Sequence, residues 1–333
     1  MNVQKPFVLD LVVPIHGNLP LNKIFFKSLR ENTLHPFRLI VVDNHSPDAS
    51  GEFFQNQHGN GFDVVVIKNS KNQCYPVSMN QGLMASKAPI IGLLNNDIVF
   101  SPGWDSPLVN AIQRGVTDCA SPIGLEHLPD GRLEEFLFSR WRIILKRQYS
   151  SDEEENLQTK INSMYGSLST VGKWIQERYR GVCFPGIMGH CHLISRELLT
   201  RIGELDVQME GADWDLYLRI AKMVKEGKME TLPMIFGDSY VHHFIRATKR
   251  NKSIREPRIC SHPPHMKVEE KWSLAEISEY WPFPSQRPGY RKSFPERIRK
   301  VFSRLSARIT ISGKDSIQLS KKVLGESDIG LKY

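Results

Sequence analysis

Gly92–Ser101 reads GLLNNDIVFS, and the runs on either side of its polar triplet decide the fold class. Ile90, Ile91, Leu93 and Leu94 form a continuous apolar run, the pattern of a strand buried on both faces in a parallel sheet. Asn95-Asn96-Asp97 then breaks it, and Ile98-Val99-Phe100 resumes apolar character at once. A carboxylate between two buried runs is costly unless it is paired or holds a metal. The alternative is an ordinary polar strand-end turn, so the flanking chain has to decide.

Working outward from that stretch, strands and helices alternate. Phe7–Ile15 (FVLDLVVPI), Phe37–Asp43 (FRLIVVD) and Phe62–Lys68 (FDVVVIK) have strand character. Leu21–Asn32, a short segment to about Gln57, and Val77–Lys87 carry helical spacing between them. Alternation with short connections predicts an open α/β sheet whose ligands lie beyond the C-terminal strand ends. Asp43, Asn69 and the Asn95-Asn96-Asp97 triplet all fall at such ends, which points to one cleft. No G-x-G-x-x-G follows the first strand and no G-x-x-x-x-G-K-[ST] occurs, so a dinucleotide-binding domain or a P-loop enzyme is disfavoured.

Three stretches carry a family resemblance: VVPIHGN at 12–18, LIVVDNHSPDAS at 39–50, and NQCYPVSMNQGLMASKAPIIGLLNNDIVFSPGW at 72–104. In order and spacing they resemble the nucleotide-sugar-binding half of a family 2 glycosyltransferase, most closely the rhamnosyltransferase-like branch. The resemblance implies a GT-A type fold: an open, mostly parallel sheet flanked by helices, with a Rossmann-like donor half and an acceptor half. It runs over about 7–245, so a catalytic domain is expected at 1–245, divided into 1–104 and 105–245. It also implies a nucleotide-sugar donor, a glycan or lipid-linked acceptor, and a divalent cation (Mn²⁺ or Mg²⁺) held by hard oxygen ligands.

Site residues follow from the same resemblance. Asp97 is expected on the metal, Asn95 stands where the family more often has Asp, and Asp43 is expected to accept from the base. Pro14, Ile15 and His16 would pack on the base, and Asn69, Asn80 and Asn96 complete the donor side. In MEGADWDLYLR at 209–219, Ala212 falls where the family has Glu, Asp213 falls on its catalytic base, and Asp215 and Arg219 follow. Both acids open a predicted helix, where free N–H groups favour negative charge; Asp215 is expected to cap. A histidine after the next strand completes the metal shell in the family. His242 is favoured because it directly follows the strand, with His243 as the substitute. The implied chemistry is inverting single displacement in surface polysaccharide or glycan synthesis.

The remainder is less specific. Regular alternation breaks between Leu125 and Val182, where WRIILKRQY, an acidic run at 152–155 and a helix over 156–178 are expected. His190 and His192, in FPGIMGHCHLIS, could share a strand face, but a structural zinc site is disfavoured without a second Cys/His pair. The five cysteines form no C-x-x-C pair, and the N-terminus lacks the pattern of a secretory signal, so a cytoplasmic location is expected. Residues 246–333 hold 20 Lys/Arg against 9 Asp/Glu, whereas 1–245 are nearly balanced. This Pro-rich, basic extension is expected to carry an amphipathic helix from about Pro295, which either packs on the domain or meets an anionic membrane surface. Nucleic acid is disfavoured. Two rival functions remain open: a nucleotidyltransferase, which would want a basic Gly-rich loop, and a degenerate, non-catalytic scaffold, which Asn95 and Ala212 allow.

Overall fold

A computed structural model describes residues 7–147, 153–244 and 265–286. Apolar β-branched runs form the sheet: β1 (Leu9–Ile15), β2 (Phe37–Asp43), β3 (Phe62–Lys68) and β4 (Ile90–Leu94) lie side by side in the order β3-β2-β1-β4, all parallel. Every residue of β4 is buried, as its unbroken apolar run requires. Connecting helices α1 (Leu19–Asn32), α2 (Ser50–Gln55) and α3 (Tyr75–Ala85) cover the sheet, α1 and α3 each beginning with a proline in the first turn, where its missing N–H costs nothing. Asp10, 1% exposed, is the one acid inside β1. It accepts from Arg38 Nε at 2.9 Å and Nη2 at 2.6 Å, and from the backbone N–H of Ala88 at 2.8 Å, so it ties β1 and β2 to the turn before β4.

Beyond β4 the sheet becomes mixed. The short β5 (Ile98–Phe100) follows the polar triplet directly and is succeeded by α4 (Asp105–Gln113) and β6 (Cys119–Ile123). Further on come β7 (Cys183–Pro185), β8 (Cys191–Ser195) and β9 (Met234–His243). The order continues β4-β8-β6-β9-β5, with β8 antiparallel to both β4 and β6, β9 parallel to β6, and β5 and β7 antiparallel to β9. The sheet is therefore parallel from β3 to β4 and mixed from β4 to β5.

The irregular middle folds as three helices: α5 (Gly131–Arg147), α6 (Glu154–Tyr165) and α7 (Leu168–Arg178). The single helix expected over 156–178 is broken at Gly166, whose φ of 70° ends α6, and at Ser167, whose hydroxyl caps α7 by accepting from Thr170 N–H. Trp141, Ile144, Ile161, Tyr165, Ile175 and Tyr240 form a separate core on this side. Two more helices, α8 (Arg196–Ile202) and α9 (Ala212–Lys225), pack against the opposite face.

Part of the C-terminal extension belongs to this body. The short helices α10 (Val268–Lys271) and α11 (Leu274–Tyr280) lie against α9, burying Val268, Trp272, Ile277 and Trp281 in the core shared by α3, α8 and α9. The basic helix expected from about Pro295 lies outside the described residues. Among the described residues no helix is long and apolar enough to cross a membrane.

Candidate active site

The polar triplet sits where four chain segments converge. Asp97, 7% exposed, lies in the turn between β4 and β5, and the backbone N–H of Phe244 donates to its carbonyl at 2.8 Å, so the end of β9 is tied to that turn. The β5–β9 register pairs Ile98 with His243 and Val99 with His242. Successive strand residues point to opposite faces, so only one of the two histidines can face Asp97. It is His243: its Nε2 stands 3.4 Å from Asp97 Oδ1, and its Nδ1 3.4 Å from Glu126 Oε1.

His242, favoured on sequence grounds, points the other way. Its Nδ1 is 2.8 Å from the Tyr165 hydroxyl, which is also 2.8 Å from that of Tyr240, and its ring packs edge-on against Trp141 at 4.5 Å. Sequence reasoning ended the strand at Val241, two residues too early; the strand runs through His243, and the alternation of faces turns His243 toward Asp97 and His242 away.

Glu126 and His190 complete the convergence. Glu126 lies in the loop after β6, and His190 leads into β8, where its carbonyl accepts from Asn95 N–H at 2.9 Å. The His190 and His243 rings stack at 4.2 Å, and ligand atoms of Glu126, His190 and His243 all lie within 4.8 Å of one another. Asp97 Oδ1, Glu126 Oε2 and His190 Nε2 are buried without a hydrogen-bond partner among the described residues. Unmade hydrogen bonds at buried polar atoms cost about 1–3 kcal/mol each. Three such atoms around one imidazole, two of oxygen and one of nitrogen, are the donor set that a divalent first-row cation accepts.

The electrostatics describe the same cluster without a cation. Burial opposes charge on His243, but the carboxylates of Asp97 and Glu126 hold its pKa up at about 10. Burial alone would raise Asp97 and Glu126; the His243 charge overrides it, lowering Asp97 and bringing Glu126 down to about 2. His190 is pushed down to about 3 by burial and by the charge of His243, so it stands neutral with a free lone pair.

Asp213 sits in the first turn of α9, its carboxylate laid directly on Gly189, where a Cβ would overlap it. Only glycine permits that approach. Burial raises the Asp213 pKa, while its own N–H and that of Trp214 oppose the rise. Tyr75, at the start of α3, feels the charges of both Asp213 and Asp97, so both carboxylates lie in its neighbourhood. Asp215, two residues on, is fully buried and bonded elsewhere. It accepts from Arg219 Nε at 2.9 Å and from Trp272 Nε1 at 2.9 Å, and it pairs with Lys271 Nζ at 2.7 Å. It anchors α9 instead of capping it.

The expected donor-side residues divide into two groups. Asp43 Oδ1 accepts from Ser46 N–H at 2.9 Å, and its other oxygen rests against Gly51, where a Cβ would collide. His16 Nδ1 donates to the Asn44 carbonyl at 2.9 Å, while the Ile15 carbonyl accepts from Asn44 N–H. With Pro14 partly exposed beside them and Asn69 joined side chain to side chain with Gln81, these residues line the C-terminal ends of β1–β3. Asn95 is half-buried beside the metal-ligand cluster. Asn80 and Asn96 are committed elsewhere: Asn80 makes a two-way bond with the backbone of Leu205, and Asn96 donates to Asn22 Oδ1 at 2.7 Å.

Residues 10–203 match the family model described as glycosyl transferase family 2, more than half of the chain. The chain belongs to glycosyl transferase family 2. Polypeptide N-acetylgalactosaminyltransferase 9 of Homo sapiens is 24% identical over 220 residues, covering 63% of this chain and 33% of that protein. The Macaca fascicularis protein of the same description matches over the same span. The chain thus spans about a third of the length of these curated relatives. Among solved structures, it is similar to a mannosyltransferase from Pyrobaculum calidifontis in complex with GDP-Man and Mn²⁺, with 13% identity, TM-score 0.49 and coverage of 97% and 83% of the two chains. It is also similar to GalNAc-T7 with UDP, GalNAc and Mn²⁺, with 16% identity, TM-score 0.48 and coverage of 72% and 44%. The family match ends at residue 203, so Asp213 and His243 rest on their geometry.

Proposed function

We propose that this chain is a divalent-metal-dependent glycosyltransferase that moves a sugar from a nucleotide-sugar donor to an acceptor hydroxyl with inversion, in glycan or polysaccharide synthesis. The observation that carries the metal dependence is the gathering of ligand atoms of Glu126, His190 and His243 within 4.8 Å of one another, with Asp97 Oδ1 3.4 Å from His243 Nε2 and Glu126 Oε2 and His190 Nε2 making no hydrogen bond among the described residues. These four residues would hold the cation, which supplies positive charge opposite the donor's diphosphate.

Asp213 is the base. Its carboxylate, which like that of Asp97 lies in the neighbourhood of Tyr75, takes the proton of the acceptor hydroxyl as that oxygen bonds to the anomeric carbon. The bond from that carbon to the diphosphate oxygen breaks in the same step, and the electron pair leaves with the nucleoside diphosphate. The elevated pKa of Asp213 makes it a better proton acceptor than an exposed carboxylate, and seating it on Gly189 fixes its direction. His16, Asp43 and the ends of β1–β3 form the donor-side floor.

The test is a thermal-shift screen against UDP-, GDP- and dTDP-sugars with and without Mn²⁺, followed by nucleoside diphosphate release from the donors that bind. Metal-dependent stabilisation and release are expected. Donor binding equal with and without Mn²⁺, and no release, would instead favour the scaffold reading that Asn95 and Ala212 leave open.

A further inference from the structure

Residues 265–286 lie beyond the family match, yet they reach both sides of the candidate active site. On one side, Trp272, 6% exposed, donates its indole N–H to Asp215 Oδ1 at 2.9 Å, and Lys271 Nζ stands 2.7 Å from that same oxygen and 2.8 Å from Asp206 Oδ2. Asp215 is completely buried, and these partners together with Arg219 supply its hydrogen bonds and ion pairs. It shares the first turn of α9 with Asp213. Trp214, between the two acids, is stacked face to face on Trp281 at 4.0 Å with 16° between the planes.

On the other side, Phe283 stacks on the His127 ring at 3.8 Å, and Gln286 Nε2 lies 3.0 Å from His127 Nε2. His127 follows Glu126 in the loop that supplies the metal-side carboxylate. Trp281 Nε1 also donates to Gln286 Oε1 at 3.2 Å, so both sides are held from one segment.

We propose that this C-terminal strap is a working part of the catalytic site. Trp272 and Lys271 are positioning residues that act through Asp215 to fix the first turn of α9, and with it the direction of the Asp213 carboxylate. The inference rests on the reading of Asp213 as the base. Misplacing a reacting group by about 1 Å can cost about 100-fold in rate, so the clamp is expected to act on turnover more than on donor binding.

The test compares Trp272→Phe, which keeps an aromatic ring in the core but removes the N–H, with Lys271→Met and with the exposed control Leu274→Ala. With UDP-, GDP- and dTDP-hexoses and Mn²⁺ as probes, Trp272→Phe should lower kcat for nucleoside diphosphate release by about 10–100-fold, leaving donor KM unchanged. Lys271→Met should act in the same direction, more weakly, and Leu274→Ala should do nothing. In an Asp215→Asn background Trp272→Phe should add no further loss, which a merely structural tryptophan would not obey. Hydrogen exchange over residues 211–218 should quicken in Trp272→Phe, a readout that needs no donor. Wild-type exchange in that segment for both strap variants overturns the proposal, as does wild-type kcat in both beside an inactive Asp213→Asn. If Asp213→Asn itself turns over normally, the base assignment fails first, and the strap result is then read from exchange alone.

Discussion

Two clusters of polar side chains lie at the strand ends, and they are built on opposite principles. At the ends of β2 and β3 the side-chain amides of Asn44, Asn69 and Gln81 find partners within the chain. Asn44 Nδ2 donates to Asn72 Oδ1 at 2.8 Å and to the Gln73 carbonyl at 2.6 Å, and its Oδ1 accepts from Gln73 N–H at 2.7 Å. Asn69 and Gln81 exchange amide bonds at 2.9 Å in both directions. Around Asp97 the reverse holds: Glu126 Oε2 and His190 Nε2 are buried without a hydrogen bond among the described residues, and Asp97 Oδ1 is met by His243 at 3.4 Å. A closed network makes a rigid floor and an open one makes a socket, because only the second gains hydrogen bonds or coordination when something arrives.

The sharpest way to break this contrast is at Asp97. Asp97→Asn, or chelation of the wild-type protein, should abolish Mn²⁺-dependent nucleotide binding; calorimetry showing unchanged metal affinity would remove the socket reading. Asp213→Asn comes next, with donor binding held and release or transfer lowered by about 10²–10⁴. If Asp215→Asn is the inactive variant and Asp213→Asn is active, the assignment of the base is wrong by two residues. Glu126→Gln should weaken Mn²⁺ binding by about 10–100-fold, since Glu126 both faces the cluster and supports His243 Nδ1. On the closed side, Asn44→Ala should leave metal affinity untouched and lower stability by about 2–3 kcal/mol, as several buried bonds lose a partner. A denaturation midpoint equal to wild type would show that the floor is not held by that network.

The metal-free protein gives a subtler check. His243 has a folded pKa of about 10 against an ordinary 6.5, so its contribution to stability is complete below about pH 6.5 and is lost as pH rises towards 10. Glu126 is lowered from 4.5 to about 2, so its contribution is complete above pH 4.5 and is lost as pH falls towards 2. Chelated protein should therefore be most stable near pH 4.5–6.5 by thermal melts, and Glu126→Gln should weaken both limbs. A flat profile would mean that the three groups do not share charge as their spacing indicates.

The parallel half was legible because its signals are local: each strand is a short, mostly apolar run, and the ends of β2, β3 and β4 are marked by Asp or Asn. Asp97 was legible for the same reason. Glu126 was not, because it sits in an irregular loop after β6 with no motif around it, and only the sheet order brings it to Asp97. His190 carried a signal, a histidine pair on a strand, but without neighbours in sequence the pair led only to a disfavoured zinc site. Its partners are supplied by three other segments. The choice between His242 and His243 turned on where the strand ends and which face each residue takes, which periodicity does not resolve. The role of Asp215 depended on Trp272, which is 57 residues away and lies outside the stretches that carried the resemblance.

The pairing of β5 with β9 has a consequence for how the protein is made. Ser101 and Tyr240, which bond across that junction, are 139 residues apart, so the ribosome must deliver most of the body before the socket can close. At the ~5–20 residues per second of synthesis, the nascent chain carries Asp97 for on the order of ten seconds before His243 arrives. During that interval the four parallel strands can already pair, but β4 lacks β8 as a neighbour and exposes an apolar edge. Metal would therefore be acquired late, after β9 has paired with β5, and a chaperone that shields the β4 edge would have its work concentrated in that window.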